Sequence, residues 1–322
     1  MLSIAVCTRN RPHRLRQWLA ALAHLDGIHA TPIVVIDQST QANPPHTPLT
    51  ITYQHTTTRG LSRARNLALN VATTRYVAFC DDDCVPRHDW IYQLQRIIAE
   101  CAPAIAFGAT WPSGAPDSYA LQYAHTHAGH TVWALRHNGH GCGALQIAPH
   151  AHYAHHELPI LETFGQGNNM LIERNIARTH GGFHPWLGAG AWLQAGEDVD
   201  VALGMLRRGA LVIYQPTQVV WHDAWQHPAD LARHEHGYTT GMIATHLWHA
   251  WHGSTVARDY LRWRVHQLQA TLFGDRTPTS SSSTLPTPSA PRTWRWKFRR
   301  IWAIGMGIIG GVSLIVGRRW QR

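Results

Sequence analysis

The sequence predicts an α/β protein: a mostly parallel sheet with helices on both faces. Two observations carry this. Short β-branched apolar runs alternate with segments of helical apolar spacing through the first 85 residues, and strands that alternate with helices pair in parallel. The fourth such run ends directly in Asp81-Asp82-Asp83, and sheets of this kind bind ligands outside the carboxyl ends of their strands. At 322 residues, 44% hydrophobic and 15% charged, the chain can bury a large core and is not a disordered polyampholyte.

The elements follow in order. Ser3–Thr8 reads as a buried strand. Pro12–Leu25 places Leu15, Trp18, Leu19, Leu22 and Leu25 at helical spacing. Pro32–Asp37 is a second buried strand and Ile51–His55 a weaker third. Leu61–Val71 gathers Leu61, Ala64, Leu67, Ala68 and Val71 on one helical face, and Tyr76–Cys80 is the fourth strand. A helix is expected over His88–Cys101. From Ala102 to Glu162 the Gly, Pro and His content obscures any period. Order returns with a strand and helix start in Thr163–Arg178, a helix over Glu197–Arg208, a strand over Ala210–Tyr214 and a helical region over Leu231–Phe273. Gly274–Pro291 is a Pro/Ser/Thr-rich linker.

The formal net charge of +9 is uneven. From Arg292 onward there are eight basic residues and no acidic one, so the body before it is nearly neutral. A nucleic-acid binder carries its basic face on the folded body, so no nucleic-acid partner is expected. The five cysteines, Cys7, Cys80, Cys84, Cys101 and Cys142, form no spaced framework and suit a reducing, cytoplasmic body. No signal peptide is read at the start. Ile301–Gly317 is an uncharged stretch of about 25 Å as a helix, close to the lower limit for crossing a bilayer. Trp and Arg flank it, and Gly305, Gly307, Gly310, Gly311 and Gly317 suit close packing in lipid. Membrane attachment is expected, with spanning favoured over lying on the surface and the choice between the two left open.

The aspartate triplet is the most informative chemical feature. Adjacent carboxylates repel unless a cation joins them, and Mg²⁺ or Mn²⁺ favour carboxylates together with phosphate oxygens. If strand geometry persists, Asp81 and Asp83 point the same way, one toward a ribose and the other toward a metal. Asp37, ending the second strand, can accept hydrogen bonds from a base or ribose. Arg59-Gly60-Leu61-Ser62-Arg63-Ala64-Arg65 opens a helix beside the same crevice, a setting that suits phosphate. Nine histidines between Ala124 and Glu157 read as compositional bias rather than a zinc site.

Taken together, T-R-N-R-P, V-V-I-D, R-G-L-S-R-A-R-N and F-C-D-D-D with Pro86 and Trp90 after it resemble the family 2 glycosyltransferases, which are nucleotide-sugar-dependent enzymes of the GT-A fold. F-G-Q-G-N-N-M-L-I-E-R, G-E-D-V-D-V-A-L-G-M-L-R-R-G and I-Y-Q-P-T-Q-V-V-W-H follow in matching order, so the resemblance runs from Ser3 to His222. It implies that Thr8, Arg9 and Asp37 line a nucleotide pocket, with Arg65, Asp81 and Asp82 also on the donor. Asp83 and His222 would hold Mn²⁺ or Mg²⁺. Gly167, Asn168, Asn169 and Glu197 would face the acceptor, and Asp198 would be the general base of an inverting transfer. The partners implied are a nucleotide-sugar donor and a glycan, lipid-linked or other hydroxyl acceptor.

The organisation expected is a catalytic domain over residues 1–223, a helical extension over 224–273, a linker over 274–293 and a membrane-attachment segment over 294–322. Two rivals were weighed. A nucleotidyltransferase would need a glycine-rich loop where Thr8-Arg9-Asn10-Arg11-Pro12 stands. An inactive nucleotide-sugar-binding or scaffolding protein at the membrane would not need the full acidic set.

Overall fold

The computed structural model describes residues 1–113, 139–140, 144–146, 165–223, 228–273 and 294–319. The linker and nearly all of the His-rich insert lie outside them. Four parallel strands open the chain: β1 (Leu2–Thr8), β2 (Ile33–Asp37), β3 (Ile51–His55) and β4 (Tyr76–Cys80), in spatial order β3-β2-β1-β4. Helices α1 (Pro12–Leu22) and α2 (Leu61–Val71) provide crossovers, and α3 (Trp90–Glu100) follows the short strand β5 (Cys84–Pro86). Side chains of β1 alternate between faces. Ile4 and Val6 join Leu15, Trp18 and Trp90 on one side, while Ala5 and Cys7 join Ala64, Ala68 and Phe79 on the other.

Beyond β4 the sheet becomes mixed. β9 (Asn169–Glu173) runs antiparallel between β4 and β6 (Ile105–Ser113), and β10 (Val212–Asp223) runs parallel to β6. β8 (Ala144–Gln146) and β7 (Gly139–His140) continue the path beyond β10, and β5 pairs β10 antiparallel. Two sequence expectations change here. Ile105–Ser113 forms β6 within the region that showed no period. The strand expected at Ala210–Tyr214 runs on to Asp223, with its register shifting between Gln215 and Val219.

α4 (Arg174–Thr179) follows β9, and α5 (Glu197–Arg207) precedes β10. The region expected as one helical stretch is two helices, α6 (Pro228–Trp251) and α7 (Thr255–Phe273). α6 is bound to α5 by a buried His249 Nε2–Asp200 Oδ1 contact of 2.9 Å.

The C-terminal expectation is corrected most. Residues Trp294–Arg319 form one helix, α8, that packs along α6. Among the described residues, no helix is long and apolar enough to cross a membrane. On its inner side the helix lies close against the protein. A Cβ on Gly307 would lie 2.6 Å from Ile243 Cβ and one on Gly311 2.8 Å from Leu247 Cβ, while Gly310 abuts Leu193. Three of the glycines that suggested helix packing in lipid, Gly307, Gly310 and Gly311, instead let α8 approach its own protein.

Candidate active site

The carboxyl ends of the parallel strands converge on one crevice. Thr8 and Asp37 are paired in register at the ends of β1 and β2, and Asp81-Asp82-Asp83 leaves β4 beside them. Strand geometry does not persist through the triplet. The chain turns, with Cys84 N–H donating to Asp81 C=O at 3.0 Å, and the three carboxylates separate into different roles.

Asp82 is 4% exposed and accepts from Thr8 Oγ1 at 2.5 Å, with Arg11 3.1 Å away. Burial, opposed by Arg11 and Thr8, pushes its carboxyl up to about 6. It braces β1 against the turn. Asp83 is held by Arg11 at 3.2 Å and lies 3.6 Å from His222 Nε2. His222 reaches it because β10 pairs β5, setting His222 opposite Cys84. Asp81 lies 3.6 Å from Arg65. Burial, opposed by Arg65 and reinforced by the like charge of Asp83, raises the Asp81 carboxyl.

Asp83, Cys84 and His222 offer one ligand atom each within 4.8 Å of one another. Burial and the neighbouring Cys80 push the Cys84 thiol well above its usual range, and it is the soft donor of the three. The remaining oxygen and nitrogen donors fit a hard or borderline divalent ion that keeps positions open for phosphate oxygens.

Asp37 is buried, accepting from Ser39 N–H at 2.8 Å and from the Tyr53 hydroxyl at 2.6 Å. Burial and that bond push Tyr53 up to about 12. Arg9 is half-buried just after β1 and makes no ion pair with the described residues. Asn10 takes a left-handed turn (φ 54°), and its side-chain oxygen accepts from Thr40 N–H at 2.9 Å, which locks this loop to the one after β2.

The second half of the site is built around Arg65. Sequence reading set this arginine on a phosphate, but it is 1% exposed and braces the interior. Its guanidinium donates to Glu197 Oε1 and to Gly167 C=O, each at 2.9 Å, and lies 5.7 Å and 5.6 Å from the ring centres of Phe79 and Phe183. Desolvation favours its neutral form, yet Glu197, Asp81 and Asp198 outweigh it and hold the charge more firmly. Three carboxylates drawn to one crevice require an internal cation. Gly167 must be glycine because a Cβ there would sit 2.6 Å from Arg65 Nη1.

Glu197 and Asp198 diverge although adjacent. Glu197 is buried on Arg65, and burial together with Asp198 raises its carboxyl to about 7. Asp198 is half-buried, its Oδ2 accepting from Gly167 N–H and its Oδ1 from Val199 N–H, both at 2.8 Å. It is therefore oriented and still reachable. Asn168 accepts from Thr110 Oγ1 at 3.0 Å. Asn169 was expected on the acceptor, but it is fully buried and uses its amide within the sheet, on Trp90, Gln218 and the carbonyls of Ala109 and Gln218. Arg11 escaped the sequence reading. The signal available was a cation just after the first strand, where an acidic triplet would need one.

A model of glycosyl transferase family 2 matches residues 3–178. The succinoglycan biosynthesis protein ExoM of Rhizobium meliloti (strain 1021) is 25% identical over 329 residues, covering 97% of this chain and 92% of that protein. A pre-mycofactocin glycosyltransferase of Mycobacterium tuberculosis is 26% identical over 174 residues, covering 52% of this chain and 31% of its own. Among solved structures, S. aureus TarS 1–349 in complex with UDP-GlcNAc superposes with a TM-score of 0.57 at 13% identity, covering 96% of this chain and 81% of that one. The mannosyltransferase PcManGT from Pyrobaculum calidifontis, in complex with GDP-Man and Mn²⁺, gives a TM-score of 0.55 at 15% identity, with coverage of 97% and 86%. The sheet flanked by helices is thus the GT-A fold.

Proposed function

The chain belongs to glycosyl transferase family 2, and from that premise we propose that it moves a sugar from a nucleoside-diphosphate sugar to an acceptor hydroxyl, with inversion at the transferred carbon and Asp198 as general base. The observation that carries this reading is the split within the Glu197-Asp198 pair. One carboxylate is buried on Arg65, while the other is aimed by two backbone N–H groups and remains accessible. A hydroxyl nucleophile needs such a carboxylate within reach of its proton.

On the donor side, Thr8, Arg9 and Asp37 sit where a nucleotide would lie across the strand ends, and Arg9 offers a guanidinium for its phosphates. Asp81 faces the same crevice from the triplet. Asp83 and His222 would hold Mn²⁺ or Mg²⁺, and such an ion, when bound, would neutralise the charge on the departing diphosphate. Complexes of two structural neighbours with UDP-GlcNAc and with GDP-Man and Mn²⁺ support this donor class and this metal requirement. Gly167 N–H and Arg65 keep Asp198 and Glu197 in place as the acceptor's proton moves to Asp198. The acceptor hydroxyl would come from a glycan or a lipid-linked saccharide.

The test is Asp198→Asn. Turnover is expected to fall about 10²–10⁴-fold while calorimetry with Mn²⁺ shows unchanged donor-nucleotide affinity. Proton NMR of the wild-type product should show the anomeric configuration opposite to the donor's. A retained configuration, or full turnover in the variant, would overturn the proposal.

A further inference from the structure

We propose that α8 is an in-plane docking helix that seats the protein on an anionic bilayer surface. The helix has two unlike sides. At about 100° per residue, Ile301, Trp302, Ile308, Ile309, Val312 and Val316 fall within an arc of about 120°. All six are exposed, Trp302 by 66%, Ile309 by 55% and Val312 by 52%. The opposite arc carries Ala303, Gly307, Gly310, Gly311 and Leu314, all buried against the protein, and Thr240 Oγ1 donates to Ala303 C=O at 3.3 Å. An apolar stripe of this length left in water is unusual for a soluble surface.

Charge identifies the occupant. Arg295, Lys297, Arg299 and Arg300 lie in the first two turns of α8 and Arg318 and Arg319 at its last, and no acidic residue follows Arg292. A second copy meeting this face would bring strongly basic helices together, which repel. A surface of anionic lipid offers hydrocarbon for the isoleucines and valines, headgroup depth for Trp302, and phosphates for the basic ends. Basic residues at both ends favour a helix lying flat. The inner side cannot enter lipid without leaving α6 and Leu193, so the helix lies on the bilayer rather than through it. α6 carries the connection inward, since Thr245 Oγ1 donates to the carbonyl of Gly196, the residue before α5 and its Asp198. This inference does not depend on the reaction assigned above.

The experiment is flotation of the full-length protein with vesicles of phosphatidylglycerol and phosphatidylcholine, and with phosphatidylcholine alone. Binding is expected to the anionic vesicles only, and to weaken as salt rises from about 0.05 M to about 0.5 M. The combined variant Ile308→Gln, Ile309→Gln, Val312→Gln should lower the partition coefficient about tenfold or more while keeping the wild-type thermal midpoint and donor hydrolysis. Arg318→Gln with Arg319→Gln supplies an independent variant at the helix end and should weaken anionic binding several-fold. Equal partitioning of wild type and the apolar variant would overturn the proposal, as would equal binding to neutral vesicles. Retention in the bilayer after alkaline carbonate extraction would show spanning instead. A wild-type dimer that the apolar variant dissolves, without vesicle binding, would assign the face to a second copy.

Discussion

The two halves of the crevice solve one problem, holding carboxylates close together, by different means. The donor half is braced locally. Asp82 is tied to Thr8 and Arg11 and Asp37 to Ser39 and Tyr53, all within the first 83 residues, while Asp83 also meets His222 on β10. The acceptor half is braced across the chain. Arg65 from α2 joins Glu197 and Gly167, which stand 132 and 102 residues away. The Gly188 segment and α6 close over the start of α5, where Gly196 takes a left-handed conformation (φ 87°) and a Cβ would lie 2.8 Å from Thr245 Oγ1. The difference teaches that the donor half can form as the sheet forms, whereas the acceptor half exists only once distant segments have met.

Arg65→Met tests the comparison hardest, because this arginine reaches carboxylates of both halves, Asp81 and Glu197. It leaves buried carboxylates uncompensated, so a loss of about 3–5 kcal/mol in denaturant unfolding is expected, with activity lost as well. An unchanged midpoint would mean that the two halves stand independently.

Gly167→Ala is the next in size. The added methyl meets the guanidinium and shifts the N–H that aims Asp198, so a cost of about 1–3 kcal/mol is expected together with a fall in kcat. Donor affinity should hold, and a change confined to donor KM would contradict the division into halves. Thr8→Val has the smallest effect expected, about 1 kcal/mol from the lost bond to Asp82. Its kinetic signature should be a weaker donor with acceptor KM unchanged, the mirror of Gly167→Ala.

How much could be read in advance varies along the same division. The parallel strands were legible because each is a short, β-branched apolar run bounded by polar turns, and the placement of Asp37 and the triplet at strand ends followed from it. β6 was missed because Gly108 interrupts its apolar run and the His-rich insert follows. Asn168 and Asn169 look equivalent in sequence. Only the sheet shows that Asn169 points inward, to Trp90 and Gln218. Arg65 reads as a donor-side cation because helical spacing reports which residues share a face, not what that face will meet.

The C-terminal helix marks the limit most sharply. A run of 17 uncharged residues with five glycines has one composition whether its neighbours are lipid tails or another helix. The sequence alone determined the fold class, the family and the placing of the aspartate triplet at a strand end, because these rest on periodicity and on motifs that are local in the chain. The tertiary structure decided which carboxylate of each cluster is buried and which is reachable, and that α8 lies against α6, because burial and charge pairing depend on residues that the chain brings together only when folded.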